Sequence, residues 1–314
     1  RFRWPRNDSR DPRVPLVPTL VQGPAREFVD PWVQRHWLSL LSAGFRPDVL
    51  WVGHPLLWPL LPASLSARIP VVYDCMDDVV ALTPPGVSGD TVQQHEAALV
   101  AAAQVILCSS ECLRGRLAER YGAAVYARTV LLRNGGQGGP DRTGTRPASD
   151  TVESHPPAQG SLQVGYIGTV GHWFDWASVE ASLQALPGLQ VHIIGPVEAA
   201  HPALDHPRVV AHGPVEHSRL PALVAPLHAL LMPFQVNRIV EAVDPVKLYE
   251  YLSWGRPVFT SHYAEIDRFA PYVHFYGRGD KLCDGLRALS QGTLSPRASD
   301  AQVARFLADN SWDH

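Results

Sequence analysis

Short apolar, β-branched runs alternate with helix-length stretches along most of this chain, and few folds accept that alternation. Strands separated by helices pair in parallel through crossovers, so the pattern predicts α/β units whose sheets are covered by helices. In the first half the runs lie at 49–52, 71–73, 105–108 and 129–132, with helices predicted at 31–43, 91–103 and 111–121. A polar stretch rich in Gly, Pro, Ser and Thr, residues 138–160, then breaks the rhythm and reads as a linker. The second half restarts it, with strands predicted at 162–167, 190–194, 208–211, 229–232, 257–260 and 273–276. Helices are predicted there at 176–186, 218–225, 246–254, 281–290 and 300–308. Two Rossmann-like domains are therefore expected, 1–137 and 161–314, each a doubly wound parallel sheet with ligands at the carboxyl ends of its strands.

Bulk properties fit that frame. At 314 residues the chain is long enough for two domains, and 46% hydrophobic with 18% charged content describes a well-buried globular protein. The net charge of -3, with no basic block, gives no footprint for nucleic acid. Cys75, Cys108, Cys112 and Cys283 complete no zinc pattern and read as free thiols in a reducing compartment. No apolar run is long enough to span a membrane.

The densest local signal is residues 244–258, D-P-V-K-L-Y-E-Y-L-S-W-G-R-P-V. Asp244 can cap a helix, Pro245 suits its first position, and Gly255 suits the left-handed stop that follows it. Lys247 is the unusual residue, because a cation in the first turn opposes the helix dipole. A bound anion would reverse that penalty. Glu250 shares its face, three residues on. A solvated surface pair is the plain alternative; a grip on phosphate and sugar hydroxyls is the functional one. Residues 165–171, G-Y-I-G-T-V-G, put glycines directly after a strand, where they serve close packing or close approach of backbone N–H groups to phosphate.

These two segments resemble the retaining glycosyltransferases of family 4, of the GT-B fold. One branch carries P-x-K-x-x-E-Y-L-A-x-G-x-P-V, matched here except for Ser253, and G-x-x-G-x-x-x-x-W-F-D, close to Gly165 through Asp175. The resemblance implies two domains facing a cleft and transfer of a hexose from a nucleotide-sugar donor, UDP- or GDP-linked, with retention and without a metal or other cofactor. It implies a donor set of Gly168, Thr169, Arg238, Lys247, Leu248 and Glu250, with Lys247 on the diphosphate and Glu250 on the ribose. Arg238 is taken as the second cation because the arginine many relatives place after the glycine loop is missing. The first acid of the family's E-x7-E falls on Ala242, so only the second is present. The acceptor implied is a surface polysaccharide or lipid-linked precursor, in the cytoplasm with peripheral contact at the inner membrane face.

In the first half, His54 and Asp77 are the catalytic candidates. His54 follows a predicted strand in W-V-G-H-P, where a lone histidine is more often structural or merely exposed than in contact with a ligand. Asp77 belongs to Y-D-C-M-D-D, which the resembled branch places at the cleft. A D-x-D metal site is the rival there, and its spacing is wrong. Ser109-Ser110-Glu111 follows another strand and is expected to cap the next helix, with ligand contact as the alternative, and Arg133-Asn134-Gly135 is expected to form a turn. Trp51, Trp58 and Trp254 suit core packing, with an acceptor site as the alternative. Beside the resembled family the chain reads as clipped at both ends, without an opening strand–loop–helix unit or a final crossing helix. Two other functions follow from the same segments: a non-catalytic, donor-binding remnant, and a GT-B nucleotide-sugar epimerase, for which no dense His/Glu cluster is visible.

Overall fold

The computed structural model describes residues 44, 46–83, 87–136, 161–277 and 281–312. The predicted helix at 31–43, the linker at 138–160 and the expected clipping at both ends fall outside the described residues. The chain divides into two compact units, Arg1–Leu132 and Arg133–His314. That boundary lies five residues before the expected one, because Gly136 pairs with Ser311 in a parallel bridge and so joins the second unit.

The first unit holds a four-stranded sheet of β1 (Leu50–Val52), β2 (Val71–Cys75), β3 (Val105–Cys108) and β4 (Thr129–Leu131), in that order and parallel throughout. Its two longer helices are α1 (Gly89–Ala102) and α2 (Glu111–Tyr121). A buried ionic cluster ties them to β2. Glu96 of α1 accepts from the Tyr73 hydroxyl at 2.8 Å, the Tyr121 hydroxyl at 2.7 Å and Arg120 at 3.0 Å. Asp78 accepts from Arg116 at 3.0 Å and also from Arg120. Every member has partners, the condition under which burying charge is tolerable.

The second unit holds all six expected strands. They are β5 (Leu162–Ile167), β6 (Leu189–Ile194), β7 (Val209–Gly213), β8 (Ala229–Met232), β9 (Val258–Ser261) and β10 (His274–Tyr276). Their spatial order is β10-β9-β8-β5-β6-β7, all parallel. This is the doubly wound order, and its reversal lies between β5 and β8. The helices are α3 (Trp176–Ala185), α4 (Leu220–Val224), α5 (Val246–Ser253), α6 (Leu282–Ser290) and α7 (Asp300–Asp309). Strand β8 is buried at all four positions and reads ALLM, as a strand covered on both faces should. Among the described residues no helix is long and apolar enough to cross a membrane.

Candidate functional site

The strand order reverses between β5 and β8, the place where doubly wound sheets bind ligands at the carboxyl ends of their strands, and α5 follows β8 in the chain. Helix α5 is bolted to β5 by a residue the sequence reading passed over. The Tyr251 hydroxyl accepts from the Ile167 N–H at 2.8 Å and donates to the Ile167 carbonyl at 3.0 Å. Tyr251 is four residues, one turn, after Lys247, so this anchor fixes where the lysine points. The signal was present in the E-Y-L of the motif.

Lys247 reaches over Gly168. A Cβ built on Gly168 would lie 2.1 Å from the Lys247 Cε and 2.7 Å from its Nζ, and Gly168 has φ +143°. The expected role of this glycine changes accordingly. Its N–H donates to the Ile194 carbonyl at 2.8 Å, and Val170 N–H donates to Pro196 O at 2.9 Å, so both amides belong to the sheet. The room left by the missing side chain is filled by the lysine. Thr169 follows with its carbonyl held by the Tyr166 hydroxyl at 2.8 Å.

Burial lowers the Lys247 pKa, and the nearby Glu250 carboxylate offsets part of the shift. Burial raises the Glu250 pKa, which His217 and Lys247 pull back. The Oε1 of Glu250 is buried without a hydrogen-bond partner; the His217 Nδ1 stands 3.6 Å from it, within ion-pair range only. An unmatched carboxylate oxygen one turn from a desolvated ammonium is costly in the empty protein and suited to a ligand carrying both hydroxyls and negative charge.

The remaining expected residues fare differently. The Leu248 side chain is fully buried in the core and its N–H donates to Pro245 O at 3.1 Å. Arg238 lies on the exposed stretch after Phe234. Asp244 does not cap α5, since Pro245 occupies the N-cap position with no side-chain bond. Asp244 is instead buried and accepts from the Asn134 N–H at 2.7 Å and from Arg268. Asn134 returns a bond from Nδ2 to the Asp244 carbonyl at 2.7 Å. Arg133 pairs with Glu265. The Arg-Asn-Gly segment is thus a strap under the start of α5 and not a free turn, because buried polar groups there needed partners.

In the first unit, His54 caps the short helical turn Pro55–Leu60, its Nδ1 accepting from the Leu56 N–H at 3.1 Å. Ser110 caps α2 as expected, accepting from Leu113 N–H at 3.1 Å. The acids of Y-D-C-M-D-D diverge. Asp74 accepts from the Trp51 indole at 3.0 Å and Asp78 faces Arg116 and Arg120, while burial raises the pKa of Asp77. Trp51 is 59% exposed, so core packing fails for it.

No family model matches the chain. It is 25% identical over 285 residues to TuaH of Bacillus subtilis (strain 168), a candidate teichuronic acid biosynthesis glycosyltransferase; the match spans 81% of this chain and 67% of that one. Among solved structures it is similar to Anabaena HepE in complex with UDP and glucose, with TM-score 0.60 and 14% identity over 93% of this chain and 80% of that one. It is similar also to the sucrose-phosphate synthase of Thermosynechococcus elongatus, with TM-score 0.67 and 13% identity over 95% and 78%. The two parallel sheets are those of the GT-B glycosyltransferase fold.

Proposed function

We propose that the chain is a glycosyltransferase that takes a hexose from a nucleotide-sugar donor, with the diphosphate held by Lys247 where it crosses Gly168. The observation that carries this reading is that contact, at the point where a doubly wound sheet binds ligands. The start of α5 adds its unmatched N–H groups and dipole to the ammonium. Fixed cation and dipole together stabilise the diphosphate as it leaves the sugar, with no reorganisation needed at that moment. Glu250 holds the ribose hydroxyls through the oxygen that now lacks a partner, and Arg238 supplies the second cation. Thr169 completes the donor set, whereas Leu248, buried and with its N–H held by Pro245, packs the start of α5.

In the reaction the bond from the sugar's anomeric carbon to the diphosphate breaks and a bond to an acceptor hydroxyl forms on the same face, the acceptor proton passing to solvent or to the leaving group. His54 and Asp77 are the catalytic candidates on the first unit. No metal is required, since fixed cations do the work of one. The acceptor is a surface polysaccharide or its lipid-linked precursor, met at the inner face of the membrane. HepE was solved with UDP, and TuaH bears its teichuronic acid description, which favours a UDP-sugar and a cell-surface glycan. The test is a thermal-shift screen against UDP, GDP, ADP and their sugars. A ligand at a hundredfold its Kd adds about 2.7 kcal/mol. The reading fails if none of these nucleotides stabilises the protein.

A further inference from the structure

Two cavities lie side by side on the second unit, and neither is lined by Gly168, Lys247 or Glu250. The first, about 260 Å³, is bounded by His172, Phe174, Trp176, His201 and Gln235 together with Glu180. The second, about 350 Å³, is bounded by Leu183, Gln184, Asp205 and His206, again with Glu180. Glu180 is shared, so helix α3 forms a common wall, and the turn Pro202–Asp205 faces it.

The chemistry of the lining narrows the occupant. Phe174 and Trp176 are buried and give an apolar floor to the first cavity, as Leu183 does to the second. Among the described residues no lysine or arginine lines either, and Glu180 and Asp205 bring negative charge, so neither cavity suits phosphate or a polyanion. His201 accepts the Ala203 N–H on Nδ1 at 3.2 Å, which leaves Nε2 as the N–H donor of the neutral ring. Carboxylate, amide and imidazole around an apolar floor match a ligand with hydroxyl edges and C–H faces. Each cavity falls near or below the roughly 300 Å³ at which pockets for drug-sized ligands begin. Each therefore takes one or two sugar rings, and the pair takes a short chain.

We propose that these cavities form a groove for a neutral oligosaccharide, with Glu180 accepting hydroxyls at the junction. The proposal deepens the glycosyltransferase reading by giving the glycan a holding site beside the glycine segment, whose Gly171 lines the first cavity. The test is calorimetry of the full chain with maltotriose, cellotriose and chitotriose, and with trigalacturonate, each without nucleotide, followed by UDP. Glu180 is only half-buried on α3, so Glu180→Ala leaves the fold intact. At least one neutral trisaccharide should bind, with Kd raised roughly tenfold by Glu180→Ala, the loss of a charged hydrogen bond, and with trigalacturonate weaker. UDP affinity should be unchanged by the substitution. Absence of binding by all three neutral sugars, indifference to Glu180→Ala, or tighter binding of trigalacturonate would overturn the proposal. Failure of UDP to bind the wild-type chain would count against the glycosyltransferase reading alone, because the sugar titrations are made without it.

Discussion

The side chain of Lys247 occupies the space that a Cβ on Gly168 would fill, so the two residues form one steric unit. Gly168→Ala should displace the ammonium while leaving the rest of α5 anchored by Tyr251. The positive φ and the overlap together should cost about 1–3 kcal/mol of stability. Donor binding should fall at least tenfold in a calorimetric titration with UDP, about 1.4 kcal/mol or more, because the ammonium no longer reaches its place beside the glycine. A variant that binds UDP normally would show that the contact has no role in binding.

Lys247 should also trade stability for binding. Its pKa is lowered by burial, so the charged form is disfavoured in the empty folded state and burdens it throughout the neutral range. Lys247→Met should therefore raise the stability of the ligand-free protein, by about 1 kcal/mol at the low end of such exchanges. The same variant should lose the thermal shift produced by UDP. A less stable variant that still responds to UDP would reverse the argument.

Asp244 ties the start of α5 to Asn134 and Arg268. Removing it takes the carboxylate from Arg268, which keeps only the Tyr249 hydroxyl and Asn310 as acceptors, and leaves the Asn134 N–H without its acceptor; breaking a buried pair in this way costs about 3 kcal/mol. Arg268 keeps 20% side-chain exposure, which holds the cost to the lower end of the range. Asp244→Ala should lower the urea midpoint of the second unit accordingly, whereas a surface control such as Arg305→Ala should not move it.

His274 gives an acid limb to stability. Burial on β10, stacked on Phe259 at 5.0 Å, and the charge of Arg297 push its pKa down to about 4 from 6.5. The folded pKa is depressed, so the neutral ring's contribution is complete above pH 6.5 and is lost as pH falls towards 4. Partial exposure limits the loss to about 1–2 kcal/mol. His274→Gln should flatten the stability profile across that window, read by denaturation at pH 4.5 and 7.5.

Strands were the most legible part of the chain, because β8 and its neighbours are short apolar runs bounded by polar turns, and all ten stand within two residues of their expected ends. Short turns such as Pro55–Leu60 and Ala264–Phe269 escaped, being too brief to show a helical period. At the site, the pairing of Lys247 with the glycine loop came only from the resemblance of those two segments to a family's donor site; spacing and periodicity alone do not bring them together. The fate of Asp244 was not legible. Its partners are Arg268, 24 residues on, and Asn134, 110 residues back, and only the folded chain sets them beside it. The Gly168 N–H was misjudged for the same reason, since its acceptor, Ile194, is on another strand.

The central claim is that Lys247 binds the diphosphate of a nucleotide donor. Its most direct test compares UDP with uridine on the wild-type chain and on Lys247→Ala by calorimetry. The account predicts that the substitution weakens UDP by about tenfold or more, the value of a charge-assisted hydrogen bond, and leaves uridine nearly unchanged. Equal losses for UDP and uridine, or no loss for UDP, would contradict it.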